Sequence, residues 1–199
     1  MRRYLATLGL LACTPSVGAA PCPSVAILDQ SQRVGDYALE GGGHLEVAFA
    51  EVLRVGATGY LQAARLLLSG GSQVAVTVIP VESDGKPSAF GWLSNVVMVE
   101  VPADSGWVEA RFGDTEVFVT EGQYVTIEVR RPSWQYPTLQ LHISTIDHYP
   151  AGAVYWRRPA MPWWTLVPNV VGAFETDVCR VVVSVDSGAW GRTKARYRE

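Results

Sequence analysis

The chain has 199 residues, 48% of them hydrophobic and 18% charged, with a formal net charge of -3. That length and hydrophobicity suffice for one domain with a full core, and they exclude disorder, which needs low hydrophobicity and high charge. No basic stripe marks the fold, so nucleic acid is not an expected partner. The basic tail Arg192, Lys194, Arg196, Arg198 reads as a solvated C-terminus in preference to a polyanion-binding arm.

Residues 1–20 read as a signal peptide: Arg2-Arg3 precede a short apolar run, Tyr4 to Ala12, and small residues follow at Val17-Gly18-Ala19-Ala20. The run is too short to span a bilayer as a helix. Two processing routes stay open. A general signal peptidase would cut near Ala19 or Ala20. Alternatively, Leu10-Leu11-Ala12-Cys13 is similar to a bacterial lipobox, with Cys13 lipidated and supplying the one membrane attachment. Either route predicts an exported protein, secreted or in the bacterial cell envelope, and leaves Cys22 and Cys179 in the mature chain. There an even pair reads as a disulfide between the first strand and the last, with two unpaired thiols as the alternative.

Strand signals then recur with turn chemistry between them. His44 to Ala50 alternates polar and apolar. Tyr60 to Ser69 is apolar at nearly every position and rich in helix formers, but it is short. The Ser69-Gly70-Gly71-Ser72 turn carries it straight into the β-branched run Val74 to Ile79, so a strand is expected. Ser83-Asp84-Gly85-Lys86-Pro87-Ser88 is a turn. Further strands are expected over Leu93 to Val101, Trp107 to Phe112, Val117 to Val119, Tyr124 to Val129 and Leu139 to Ile146. Pro150, Gly152, Pro159, Pro162 and Pro168 predict a loop-rich stretch, and Val171 to Val185 closes the fold with one or two strands. The expected organisation is an all-β, antiparallel jelly-roll β-sandwich of about eight to ten strands over residues 21–186, followed by the basic tail 187–199.

Several short motifs line up with one family. They are Phe49, Gly59 with Leu61, Asp84-Gly85-Lys86-Pro87, Gly106-Trp107-Val108 with Phe112, Glu121-Gly122-Gln123-Tyr124, Tyr149-Pro150-Ala151-Gly152-Ala153-Val154-Tyr155, a Trp at 163 or 164, and Val171-Gly172-Ala173-Phe174-Glu175-Thr176. Together they resemble the jelly-roll β-sandwich module of secreted bacterial proteins, of the choice-of-anchor kind, similar to galactose-binding and carbohydrate-binding modules. The resemblance spans most of the mature chain and implies the fold. In the closing motif the family's Asp is replaced by Gly172, which removes any polar role at that position.

Catalytic constellations are not apparent. His44, His142 and His148 stand apart, and Asp147 and His148, adjacent on an extended segment, point to opposite faces. Gly41-Gly42-Gly43-His44 reads as a flexible turn. Glu46, Glu51, Glu109, Glu116 and Glu128 fall on alternating strands, where a solvated face accounts for them. Two distant cysteines make no zinc site, and no cofactor or metal is expected. The one positive functional hint is aromatic. Trp134 and Tyr136 lie in a Pro-flanked loop, and Tyr155, Trp156, Trp163 and Trp164 crowd a second loop-rich segment beside Arg157-Arg158. Such rings either pack under their own loops or stack on a ligand. The expectation is a non-enzymatic exported module that binds a glycan or protein through these loops. The alternative is a structural subunit, homo-oligomeric or part of an extracellular or envelope assembly.

Overall fold

A computed structural model describes residues 26–40, 48–113, 116–132, 138–146, 149, 152–158, 161 and 163–181. Cys13, Cys22, Trp134, Tyr136 and the basic tail lie outside them. The strands are β1 (Ile27–Gln32), β2 (Tyr37–Glu40), β3 (Ala48–Arg54), β4 (Gly59–Ser69) and β5 (Gln73–Pro80). Next come β6 (Val97–Glu100), β7 (Gly106–Arg111), β8 (Phe118–Val119), β9 (Tyr124–Arg130) and β10 (Gln140–Ser144). The last are β11 (Ala153–Arg157), β12 (Thr165–Val167), β13 (Val171–Gly172) and β14 (Phe174–Arg180).

These strands form two antiparallel sheets, one of six strands in the order β12-β11-β3-β9-β5-β6. The other has eight: β1-β14-β4-β10-β13, with β2 on β10 and both β7 and β8 on β4. The chain crosses between the sheets at most connections, as a sandwich with jelly-roll character requires. The expected all-β sandwich is what forms. β4 is a strand along its whole length, because β14 and β7 pair with its two edges.

Side chains alternate across each strand, so one set per strand faces the partner sheet. Phe49 and Leu53 of β3, Val125, Ile127 and Val129 of β9, and Val74, Val76 and Val78 of β5 meet Leu61, Leu66, Leu68, Leu141, Ile143, Phe174 and Val178. All are buried, and each contributes roughly 1.5–3 kcal/mol by leaving water. The outer face of the eight-stranded sheet is solvated. There Arg65 reaches Glu109 at 2.7 Å and Asp177 at 2.6 Å, as a solvated-face reading of Glu109 predicts.

The structure departs from the sequence reading in three places. Fourteen strands are described rather than eight to ten, since β1 and β2 precede the first expected strand and β11 and β12 fall in the expected loop region. Between Leu93 and Val96 no strand forms. The Leu93 N–H donates to the Val78 carbonyl and the Ser94 hydroxyl accepts from the Val78 N–H, so a side chain occupies a position in the ladder. Glu51 and Glu128 are not on a solvated face, being 1% and 0% exposed.

Glu51 shares the inward side of β3 with Phe49 and Leu53. Its Oε2 accepts the Gly172 N–H at 2.9 Å, which links the six-stranded sheet to β13 of the other. Oε1 has no hydrogen-bond partner. Burial pushes the carboxyl up to about 8, against the opposing pull of that N–H, so it is protonated at neutral pH. Glycines make the space: a Cβ at Gly172 would lie 2.5 Å from Oε2, and one at Gly152 would lie 3.1 Å from Oε1. The volume a side chain at 172 would need is filled by a carboxyl from β3.

Two outcomes follow from this contact. Gly172→Ala will cost about 1–3 kcal/mol in urea denaturation through overpacking, and the loss will be smaller in a Glu51→Ala background. Between pH 4.5 and about 8 the folded protein holds a proton on Glu51 that the unfolded chain has released. The stability contributed by this group is therefore full below 4.5 and is lost as pH rises to about 8. Urea melts across this range will show wild type losing stability relative to Glu51→Gln, by a few kcal/mol in order of magnitude.

Candidate binding surface

The outer face of the six-stranded sheet is where the molecule is least ordinary. Ala48, Ala50 and Val52 of β3, Ile79 of β5 and Tyr155 of β11 face outward there, yet they are buried together with Trp164 in a second apolar cluster. The small side chains of Ala48, Ala50 and Val52 let other chain segments lie directly on the sheet. One cover is the excursion from Val81 to Val96. It leaves β5 through a Val81–Pro87 bridge, turns at Gly85 (φ 83°), and is pinned by the Ser88 N–H on the Pro80 carbonyl. The second is the segment at Trp164, whose indole N–H donates to the Ser88 carbonyl at 3.3 Å.

Polar groups beneath these covers are few and deeply placed. Thr77 Oγ1 lies 3.2 Å from Ser94 Oγ. Glu128 Oε1 accepts from Arg157 Nη2 at 2.6 Å, with the two side chains 1% and 19% exposed. The Arg157 guanidinium in turn lies 4.4 Å from the Trp164 ring centroid, a cation–π stack. Glu128 Oε2 and Thr126 Oγ1 have no hydrogen-bond partner.

Where the cover is incomplete, a pocket of about 620 Å³ opens. Val52, Ala153, Val81 and Leu93 line its apolar part, Tyr124 one side, and Glu82 and Gln123 offer polar groups. Tyr124 in this lining is 46% exposed; on the excursion that supplies Val81, Glu82 and Leu93 to it, Phe90 is 82% exposed and Trp92 64%, and Trp163, next to Trp164 in the chain, is 61% exposed. Phe90 and Trp92 flank Gly91, which adopts φ 93° with nothing close to its Cβ position. The loop tip therefore presents two rings on a backbone that only glycine adopts without strain.

The sequence-predicted aromatics divide. Trp163 is exposed as a ligand-binding ring must be. Trp164 and Tyr155 are core side chains of the second cluster, since Trp164 spends its N–H on Ser88 and one ring face on Arg157, and burial raises the Tyr155 hydroxyl pKa. Trp156 points the other way, onto the main core, with the Arg158 guanidinium 5.7 Å from its ring. Arg157 is engaged with Glu128. Trp134 and Tyr136 fall outside the described residues. Sequence reasoning missed Phe90, Trp92 and Tyr124. The available signal was Phe-Gly-Trp directly after the Asp-Gly-Lys-Pro turn, where period-2 alternation lapses.

Elsewhere, Ser69 Oγ lies 3.1 Å from His142 Nε2, but its hydroxyl donates to Gln140 Oε1 at 2.7 Å and so points away from a base. Burial lowers the His142 pKa. Among the described residues no group of three or more His, Cys, Asp or Glu could hold a metal ion. Cys179 is 2% exposed in β14.

No family model and no curated protein matches the chain. Two similar solved structures are both of Cwp84. One is the clostridial cysteine protease Cwp84 after propeptide cleavage, at 13% identity and TM-score 0.57, covering 78% of this chain and 40% of that one. The other holds the cysteine protease and lectin-like domains of Cwp84, a surface layer associated protein of Clostridium difficile. It matches at 13% identity and TM-score 0.52, covering 78% of this chain and 36% of that one. At this identity the likeness is one of fold. The chain spans about two fifths of the length of these solved chains.

Proposed function

We propose that the chain is an exported, non-catalytic binding module that takes a glycan on the outer face of its six-stranded sheet. The observation that carries this reading is the pocket of about 620 Å³ with an apolar floor and a Tyr124 wall, lined in part by the same Val81–Val96 excursion that exposes Phe90 and Trp92. Apolar sugar faces stack on such rings while Glu82 and Gln123 meet hydroxyl groups, the usual division of labour in a ligand site. The fold likeness supports it. Of the two domains named in the Cwp84 structure, one is lectin-like, and an all-β chain covering two fifths of such a protein suits that part. Export follows from the targeting segment at residues 1–20.

The module would also carry a Cys22–Cys179 bridge. Ile27 lies opposite Val178 in the β1–β14 ladder, which leads the preceding chain toward Cys179.

A glycan microarray on the protein lacking residues 1–20, followed by calorimetry, tests the binding reading. Trp92→Ala and Tyr124→Ala will each weaken the bound glycan about tenfold or more, with unchanged circular dichroism. An array without binding, or binding indifferent to both changes, overturns it. Self-association in sizing chromatography alongside that result would favour the assembly-subunit alternative. Peptide mapping without reductant will show Cys22 linked to Cys179, and reduction will cost about 4–5 kcal/mol on the loop-entropy model. A map with Cys22 alkylated in the native protein rejects the bridge.

A further inference from the structure

The buried Glu128–Arg157 pair has no evident reason to exist for stability. It is desolvated on the outer face of β9 and β11, and one carboxylate oxygen, Oε2, lacks a hydrogen-bond partner. A buried ion pair commonly stabilises no better than two apolar side chains of similar volume. What the pair supplies that apolar side chains would not is direction. Glu128 holds the Arg157 guanidinium through Nη2, and the guanidinium carbon lies over the Trp164 ring at 4.4 Å from its centroid. Trp164 then aims its indole N–H at the Ser88 carbonyl at 3.3 Å. Ser88 closes the series, because its hydroxyl donates to the Phe90 carbonyl and accepts from the Phe90 N–H.

We propose that Glu128, Arg157 and Trp164 form a positioning relay that sets the loop bearing Phe90 and Trp92, and with it one wall of the pocket, at a fixed height over the sheet. Backbone bonds from Ser88 to Pro80 and from Leu93 to Val78 hold the two feet of this loop. Between the feet, Gly91 at φ 93° and two largely solvated rings give it no packing of its own. Through the relay a side chain from the middle of the sheet reaches the foot that carries Phe90, while Tyr155 reaches the excursion only at Gly85 and Thr77 only at Ser94. Its purpose is preorganisation, so that the rings need not be ordered when a ligand arrives. The binding consequence rests on the glycan reading above; the mechanical consequence does not.

The test separates these two. Arg157→Lys keeps the charge but loses the guanidinium that lies over Trp164. Glu128→Leu with Arg157→Met replaces the pair by apolar volume. Hydrogen exchange followed by mass spectrometry will show amides of 88–93 exchanging about tenfold faster in both, with β3, β5 and β9 unchanged. The apolar pair will melt no lower than wild type while showing the same local loosening, which a merely structural role would not produce. Where a glycan is bound, Arg157→Lys will weaken it about tenfold, and it will have no further effect in a Trp92→Ala background. Unchanged exchange at 88–93, or a rise spread evenly over the sheet, overturns the relay. If wild type binds no glycan, the glycan reading fails and the exchange result still decides the relay.

Discussion

The constraint on which the rest of the structure depends is that the central strands β3, β9 and β5 of the six-stranded sheet are buried on both faces. A sheet in a two-layer sandwich ordinarily buries one face and wets the other, and the eight-stranded sheet here does so, with Arg65 and its acidic partners outside. β3 shows the other case. Phe49 and Leu53 fill the space between the sheets, while Ala48, Ala50 and Val52 form a low floor on the opposite side. A floor of small apolar side chains must be covered, and the chain covers it with its own excursion after β5 and with Trp164. The pocket lies where that cover stops short. Its position is thus a by-product of how the second face is buried.

Burial on either face of this sheet, inward for Glu51 and outward for Glu128, changes how acidic residues survive in the strands. Glu51 and Glu128 meet the same shortage of water by different chemistry. Glu51 keeps its proton and one N–H from the opposing sheet, so it sits in the core as a neutral group. Glu128 faces a guanidinium and keeps company with charge. The first joins the layers; the second joins the sheet to its cover.

How far the sequence was legible follows the same line. The turns at Asp84-Gly85, Glu121-Gly122 and Ser69-Gly70-Gly71 are local chemistry and read correctly, as do β5 and β7 between them. So did β4, where the following turn and strand outweighed helix-forming composition. Burial of an outer face is not local. Nothing in Ala48-Phe49-Ala50-Glu51-Val52-Leu53 says that the even-numbered side chains will be covered from above, so Glu128, opposite Ala50 on β9, reads as solvated; Glu51 faces inward, and its partner, the Gly172 N–H, comes from the other sheet and is just as invisible locally. Trp163 and Trp164 make the point most sharply, because neighbours on an extended segment face opposite ways and composition cannot say which one faces out. β11 and β12 were hidden by prolines that sit around the strands rather than in them.

The pairing of β1 with β14 has a mechanical consequence. Ile27 opens β1 directly opposite Val178, near the end of β14, so the two strands leave their ladder at the same end. Antiparallel hydrogen bonds lie perpendicular to the strands, and tension applied through the two chain ends would peel them one after another instead of loading them together in shear. Held at both ends, the domain would therefore yield first along this seam, leaving the six-stranded sheet and its pocket intact, unless a covalent bridge at Cys179 carries the load.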